Sequence, residues 1–409
     1  MNFLKELQSI GANKLKPVIL GDCKDRSTAN LKELTSDELK EESKVFEQFF
    51  KSGCGSWFDL IKDQTFSSTF CSLFPSEARV ILRHWQDLSN LHKQMTLADA
   101  SAEQVSLAAE SLLQSAMLRL EPLRVRLQVA IDTEIAKSSV GMAFIKLSTR
   151  SPKDSKKALR AAQIAYNERL ALHASVSGEP MCDNDRWRVL CETATQSGAV
   201  RDATAAMILL LDSDRVFEDL EYALRGPPCI DSDTAGCASD AEAVALLQWN
   251  TDLVARAWDP RLKPESELRG ICWGGKLTCL CQYFHPLVFP ELIANKARIE
   301  DDIWASFNNP NTALAVAALG GNCIVDFAWL GPGEVVIIEL NPFDGLVLGT
   351  FPASTGLFLW DDERDRAIMR GEGPFEFRLR ETHLAPHELK AQCNKDWREI
   401  IYGTSVWGV

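Results

Sequence analysis

The sequence has no P-loop and no Gly-x-Gly-x-x-Gly turn, which excludes a Walker-type or Rossmann nucleotide site. It has no apolar run near the roughly 20 residues that a membrane-spanning helix needs. Met1 to Ile10 lack the continuous apolar core of a signal peptide. The twelve cysteines include no C-x-x-C pair, and Cys279-Leu280-Cys281 is not a zinc-knuckle spacing. Scattered thiols of this kind suit a reducing compartment and packing roles. Positive charge is not in excess. The formal net charge is −13, which excludes a nucleic-acid binder driven by phosphate contacts but leaves room for one local basic pocket. There is no internal repeat and no low-complexity tract. Together these absences predict a cytoplasmic protein with no membrane span and no nucleic-acid partner.

The 409 residues suffice for more than one core or for one large two-lobed domain, and 46% hydrophobic with 25% charged residues is ordinary for a globular α+β protein. Residues 1–50 are polar and helix-prone, with caps at Thr35-Ser36-Asp37-Glu38. The aromatic stretch from Ser56-Trp57-Phe58 to Phe70 should dock on the main body. Residues 76–137 read as helices, with Leu107, Leu112, Leu113, Met117, Leu120, Leu123 and Leu127 recurring at mixed three- and four-residue spacings and a break at Pro122. Met142 to Leu147 is a short strand with one cation, Lys146. A buried lysine needs an anion; the alternative is an edge strand from which it reaches water. The loop Ser148 to Ser155 is rich in donors and cations, which suits a phosphate. Ala205 to Leu211 reads as a fully apolar strand ending in Asp212, and residues 225–240 read as a surface loop.

Two hairpins follow. Gly274-Gly275 is a two-residue turn. Counting outward from Trp273 and Lys276 puts Glu267, Arg269, Lys276 and Gln282 on a polar face, with Leu268, Cys279 and Cys281 on the apolar one. The second hairpin spans Cys323 to Gly345 around Gly331 to Glu334. Pairing Leu330 with Val335 sets Asp326 opposite Glu339, with Asn341 on the same face. Facing carboxylates repel. Either a hard cation with oxygen ligands, such as Mg²⁺, offsets that repulsion, or the acids point into water. On this pairing alone, Asp326→Ala relieves repulsion and leaves the hairpin standing.

Five stretches occur in one order along the chain. They are Ser56-Trp57-Phe58 with the segment Thr65 to Pro75, Ala143 to Leu147 with Ser151-Pro152-Lys153-Asp154, Leu209 to Ser213, Glu267-Leu268-Arg269-Gly270, and Asp326 with Glu339-Leu340-Asn341-Pro342-Phe343. In order and rough spacing they resemble motifs of the cell division cycle protein 123 family. The resemblance implies an ATP-grasp-like, two-lobed α+β fold with mainly antiparallel sheets and a helical N-terminal extension. It divides the chain into a helical region 1–137 docking on the body, an N-lobe 138–225 with the linker strand, and a C-lobe 226–409 with the metal-binding hairpin.

The resemblance also implies ATP and Mg²⁺ as ligands. Lys146, Ser151 and Lys153 would meet the phosphates, with Arg269 and Lys276 as further cations. Leu210 and Leu211 would meet the adenine edge. Asp326, Glu339 and Asn341 would hold Mg²⁺. The implied role is a monomeric assembly factor, or chaperone, for eukaryotic translation initiation factor 2, binding its γ subunit. The alternative is an ATP-grasp ligase joining a carboxylate to an amine through an acyl phosphate. The chain departs from the family pattern at Asp212, where the family has lysine, and at Ser148-Thr149-Arg150 and Asp344. Its helical stretch near 86–130 is longer; it either adds to a partner surface or is a lineage-specific decoration, and packing alone explains its apolar spacing, which favours decoration. If the nucleotide lies between the lobes, Lys146 must come within about 15 Å of Asp326.

Overall fold

The computed structural model describes residues 51–97, 101–225, 249, 251–343, 355–392 and 395–402. The segment 1–50, most of the loop 225–240 and Asp344 lie outside them.

Two sheets carry the described residues. The first runs β1 (Ser68–Ser72), β4 (Asp252–Ala257), β2 (Ala143–Leu147) and β3 (Ala199–Val200), every pair antiparallel. The second runs β8 (Glu334–Pro342), β7 (Cys323–Gly331), β5 (Glu267–Trp273), β6 (Lys276–Gln282) and β9 (Glu376–Arg378). Only the β6–β9 pair there is parallel. The fold is therefore mixed helix and mainly antiparallel sheet, as the sequence predicts.

Alternation along β2 explains the first sheet. Ala143, Ile145 and Leu147 join a buried core with Leu253 and Ala255 of β4 and with Leu120, Leu123, Leu127 and Ile131 of the helices above. Phe144 and Lys146 are left on the opposite face. The helices Pro75–Leu97, Ala102–Arg119 and Glu121–Ile135 thus belong to the core of the first sheet. The helical stretch packs on that sheet, and strand pairing within it crosses both residue 137 and residue 226, because β1 and β4 join β2. Pairing over a hundred residues apart leaves no local mark in the sequence.

Ala203–Leu211 is a helix, where the sequence predicts a strand. Asp202 caps it, accepting from Ala205 N at 2.8 Å. Alanine and leucine favour helix, and a run that is apolar at nearly every position carries no period to separate the two structures. Leu210 and Leu211 are both 1% exposed, inside the first core, so no linker strand offers its edge to an adenine there.

The second sheet packs Leu268, Leu280, Val325, Phe327 and Leu340 against Ile299, Ile303, Ala315 and Val316 of the helices Lys296–Phe307 and Pro310–Ala318. Its other face holds Ile271, Cys279, Cys281 and Ile324 under Phe343, Phe358 and Met369. The predicted faces of the first hairpin are therefore wrong for β6. A bulge after the Cys272–Leu277 pair sets Ile271 opposite Cys279 and Arg269 opposite Cys281. One extra residue turns every later side chain of β6 to the other face. Gly270 sits where the layers meet, and a Cβ there would lie 2.7 Å from Leu277 Cδ1 and 3.0 Å from Phe327 Cε2. Gly270→Ala is expected to cost about 1–3 kcal/mol by overpacking. Urea denaturation checks it, and an unchanged midpoint would show that Leu277 simply moves aside.

In the second hairpin Asp326 does face Glu339, and Ile324 faces Asn341. The turn differs: Trp329, not Leu330, pairs with Val335, and a second bulge between Asp326 and Phe327 restores the count. The aromatic segment docks on β8 as expected. Thr65 Oγ1 donates to Ile337 O at 2.7 Å, and Ile337 N donates to Gln64 O at 2.7 Å.

Candidate functional site

The free face of β2 meets β8. Lys146 is 2% exposed, and its Nζ lies 2.8 Å from Glu339 Oε2. β3 flanks β2 only at Ala143 and Phe144, yet Lys146 does not reach water: it is buried against the Glu339 carboxylate. One residue along, Arg256 of β4 donates from Nη1 to Ile338 O at 2.6 Å. Both cations reach β8 from the first sheet. The required closeness of Lys146 to Asp326 is met, because Lys146 bonds the residue directly across from it.

Asp326 is 1% exposed and clasped by Arg269, from Nε to Oδ1 at 2.8 Å and from Nη2 to Oδ2 at 2.9 Å. Asn341 joins the acids, with Nδ2 at 3.1 Å from Asp326 Oδ2 and 3.2 Å from Glu339 Oε1. The repulsion is thus offset from within by Arg269 and Lys146, and Asp326 does not point into water. Tyr283 lies beside the cluster, with Arg269 Cζ 4.6 Å and Lys153 Nζ 5.3 Å from its ring centre.

The donor set fits Mg²⁺. Two carboxylates and an amide meet within hydrogen-bond reach, and a flipped Asn341 amide presents oxygen instead of nitrogen. Among the described residues, no three His, Cys, Asp or Glu side chains cluster to hold a metal. A cation here would take one or two carboxylates from the chain and the rest of its shell elsewhere, as Mg²⁺ does beside phosphates.

Burial raises the Asp326 carboxyl, against the pull of Arg269. Burial also acts on Glu339, but Lys146 and then Lys153 outweigh it and hold that carboxyl well below the usual range. Glu267 is 6% exposed, and burial, opposed by Lys153, pushes its carboxyl up to about 7. His285 is pushed down to about 4 by burial, then by Arg380 and Arg269.

These last two work in opposite senses. Glu267 stabilises the fold fully below its unfolded value of 4.5, and that stability is lost as pH rises through about 7. His285 stabilises it fully above 6.5, and that is lost as pH falls through about 4. Glu267→Gln should therefore gain on the parent protein between pH 5 and 8, by roughly 2–3 kcal/mol. Denaturation at both pH values tests this, and a constant gap between variant and parent would refute it.

Several expected ligands fall elsewhere. Lys276 is exposed at the hairpin tip, opposite Trp273, roughly 17 Å along β6 from Cys281 beside Arg269. Ser151 is buried, with no side-chain bond to the cluster among the described residues. Lys153 apart, the loop 148–155 spends its side-chain donors away from the cluster. Thr149 and Arg150 both bind Asp219. Ser155 caps the helix Lys156–Ser177, donates to Asp212, and shares that acid with Lys157 N, which lies 2.8 Å from it. Asp212 is thus part of a helix N-terminus. Sequence reasoning missed Arg256 and Tyr283, and placed Glu267 on the polar face of the first hairpin without giving it a role. Arg256 carries the signal that picks out Lys146, one cation in the apolar run Leu253-Val254-Ala255. Nothing local marks Tyr283.

No family model matches the chain, and no curated protein matches it. Among solved structures it is similar to a C-terminally truncated Cdc123 from Schizosaccharomyces pombe, at 19% identity over 81% of this chain and 96% of that one, with a TM-score of 0.47. It is also similar to Cdc123 from the same organism, at 18% identity over 82% of this chain and 97% of that one, with a TM-score of 0.43. The structural neighbours are thus Cdc123 proteins, whose family the sequence motifs resemble.

Proposed function

We propose that the chain binds Mg-ATP where the two sheets meet and serves, in the manner of the Cdc123 family, as a cytoplasmic assembly factor for eukaryotic translation initiation factor 2 through its γ subunit. The carrying observation is the Lys146–Glu339 pair beside the facing Asp326, which brings a buried cation and two acids from separate sheets to one point. Lys146, Lys153 and Arg269 would bind the phosphates. Asp326, Glu339 and Asn341 would hold Mg²⁺, which neutralises phosphate charge when bound. For this, Lys146 and Glu339 exchange each other for phosphate and metal, so nucleotide and metal should bind together. Arg256 fixes β8 at Ile338 and so orients Glu339.

The test is thermal stability with Mg-ATP and with ATP plus EDTA. Ligand at a hundred times its Kd should add about 2.7 kcal/mol by mass action. EDTA should abolish the gain, and so should Lys146→Met. Absence of a gain in the parent protein would remove the nucleotide from the reading. A binding assay with purified γ subunit then addresses the partner. ATP turnover on adding an amine, without γ binding, would make the protein a carboxylate–amine ligase instead.

A further inference from the structure

A second site lies at the far edge of the second sheet. A cavity of about 420 Å³ is lined by Lys296, Leu357, Phe377, Arg378, Leu379 and Arg380. Phe377 and Leu379 belong to one core, while Arg378 stacks over Phe358 on the opposite side. A cavity that touches consecutive residues of one strand lies along its edge, not on either face. β9 is the outer strand, and β6 takes its other edge. Among the described residues no further strand pairs with the free edge.

The charges at this edge are unequal in availability. Arg378 is spent on Asp365 and Glu376, each at 2.7 Å. Arg380 and Lys296 form no ion pair among the described residues. The Arg380 side chain donates from Nε to His285 O at 3.2 Å. Its main-chain N is held by Gln282 Oε1 at 2.7 Å, and Gln282, 1% exposed, is itself anchored on Phe284 O and Leu287 O. The strand end is thus held in place before any ligand arrives. Burial lowers the pKa of Arg380, and the acid acting against that, Glu388, is engaged at Ala385 N. Lys296 Nζ stands 5.7 Å over the Phe377 ring. In a chain of net charge −13, two cations without acid partners flank an open strand edge over an apolar floor. Glu381 stands exposed at the mouth.

We infer that this edge binds an extended acidic peptide segment of a partner protein. The segment adds a strand to β9, seats an apolar side chain on Phe377 and Leu379, and places carboxylates on Lys296 and Arg380. Strand addition draws affinity from main-chain hydrogen bonds and specificity from pockets for alternate side chains. Lys296 stands on the Phe377 side, and alternation sets Arg380 on the Arg378 side. The bound strand therefore carries acids on both faces, about three positions apart. A charged residue beside an open edge otherwise serves to block pairing. Here the cations instead select which strand can pair.

The test uses the full chain and a fluorescent octapeptide of Leu and Glu with two glutamates three positions apart, read by anisotropy. Saturable binding is expected. It should weaken at least tenfold with Arg380→Glu, with Lys296→Glu, with Gln replacing Glu in the peptide, and with N-methylation of alternate peptide bonds. Arg380→Lys should retain most of the binding. The Mg-ATP thermal shift should stay unchanged in every variant, which shows that each is folded and separates this site from the nucleotide reading. Absent saturable binding, indifference to both charge reversals, or equal binding of the Gln peptide overturns the inference. Equal competition by free glutarate would also overturn it, since the site would then take a small carboxylate. So would a chain dimer lost on Arg380→Glu, since the edge would then pair with a second copy.

Discussion

Asp326→Ala is expected to destabilise the ligand-free protein by about 3–5 kcal/mol, the cost of breaking a buried ion pair from one side. On sequence pairing alone the same change relieves repulsion from Glu339 and leaves the hairpin intact. The two effects differ in size. A cross-strand pair contributes roughly 0.2–1 kcal/mol. The Arg269 side chain is 11% exposed and gives two charged hydrogen bonds to Asp326, and the substitution removes both from a charge held largely away from water. That loss outweighs the relieved repulsion. Urea denaturation without nucleotide measures the loss, and a near-parental midpoint would contradict it. The double variant Asp326→Ala with Arg269→Met should recover much of the stability, because no charge is then left unpaired. Neither variant should bind Mg-ATP, so the double variant separates the stabilising role of Asp326 from its proposed role at the metal.

Trp57→Ala should cost a similar amount, about 3–5 kcal/mol, as expected for emptying a buried aromatic site. Trp57 is 1% exposed, within the core of the second sheet. Its Nε1 donates to Ser52 O at 3.1 Å, and Arg256 Cζ stands 6.0 Å from its ring centre. Arg256 in turn ties β4 to Ile338 O, so the loss should loosen the junction of the sheets as well as the local packing. Trp57→Phe keeps most of the ring and gives up one hydrogen bond, so it should cost only about 1 kcal/mol. Thermal denaturation of the pair of variants reads the difference. Equal losses would mean that the indole N–H, not the ring, holds the segment. The Mg-ATP shift should shrink in Trp57→Ala, because Lys146 and Glu339 lie on either side of that junction.

The sequence by itself determined the strands of both hairpins, the facing of Asp326 and Glu339, and the helices of 76–137; for Lys146 it left a buried pair and an edge position both open. Each of the determined features rests on local chemistry: turn glycines, two-residue alternation, or leucine spacing. Tertiary structure decided the rest. It placed β1 and β4 beside β2, because strand pairing is a choice among distant partners with similar apolar faces. It made Ala203–Leu211 a helix, because a run that is apolar at nearly every position has no period to read. It turned β6 at a bulge that one unpaired residue suffices to create, and so moved Cys281 to the face of Arg269. It chose Glu339 as the anion for Lys146 and left Lys276 at the hairpin tip. A sequence can state that a buried charge needs a partner. Only the packing of two separate sheets supplies one, because desolvation and attraction are settled between residues that the chain itself keeps far apart.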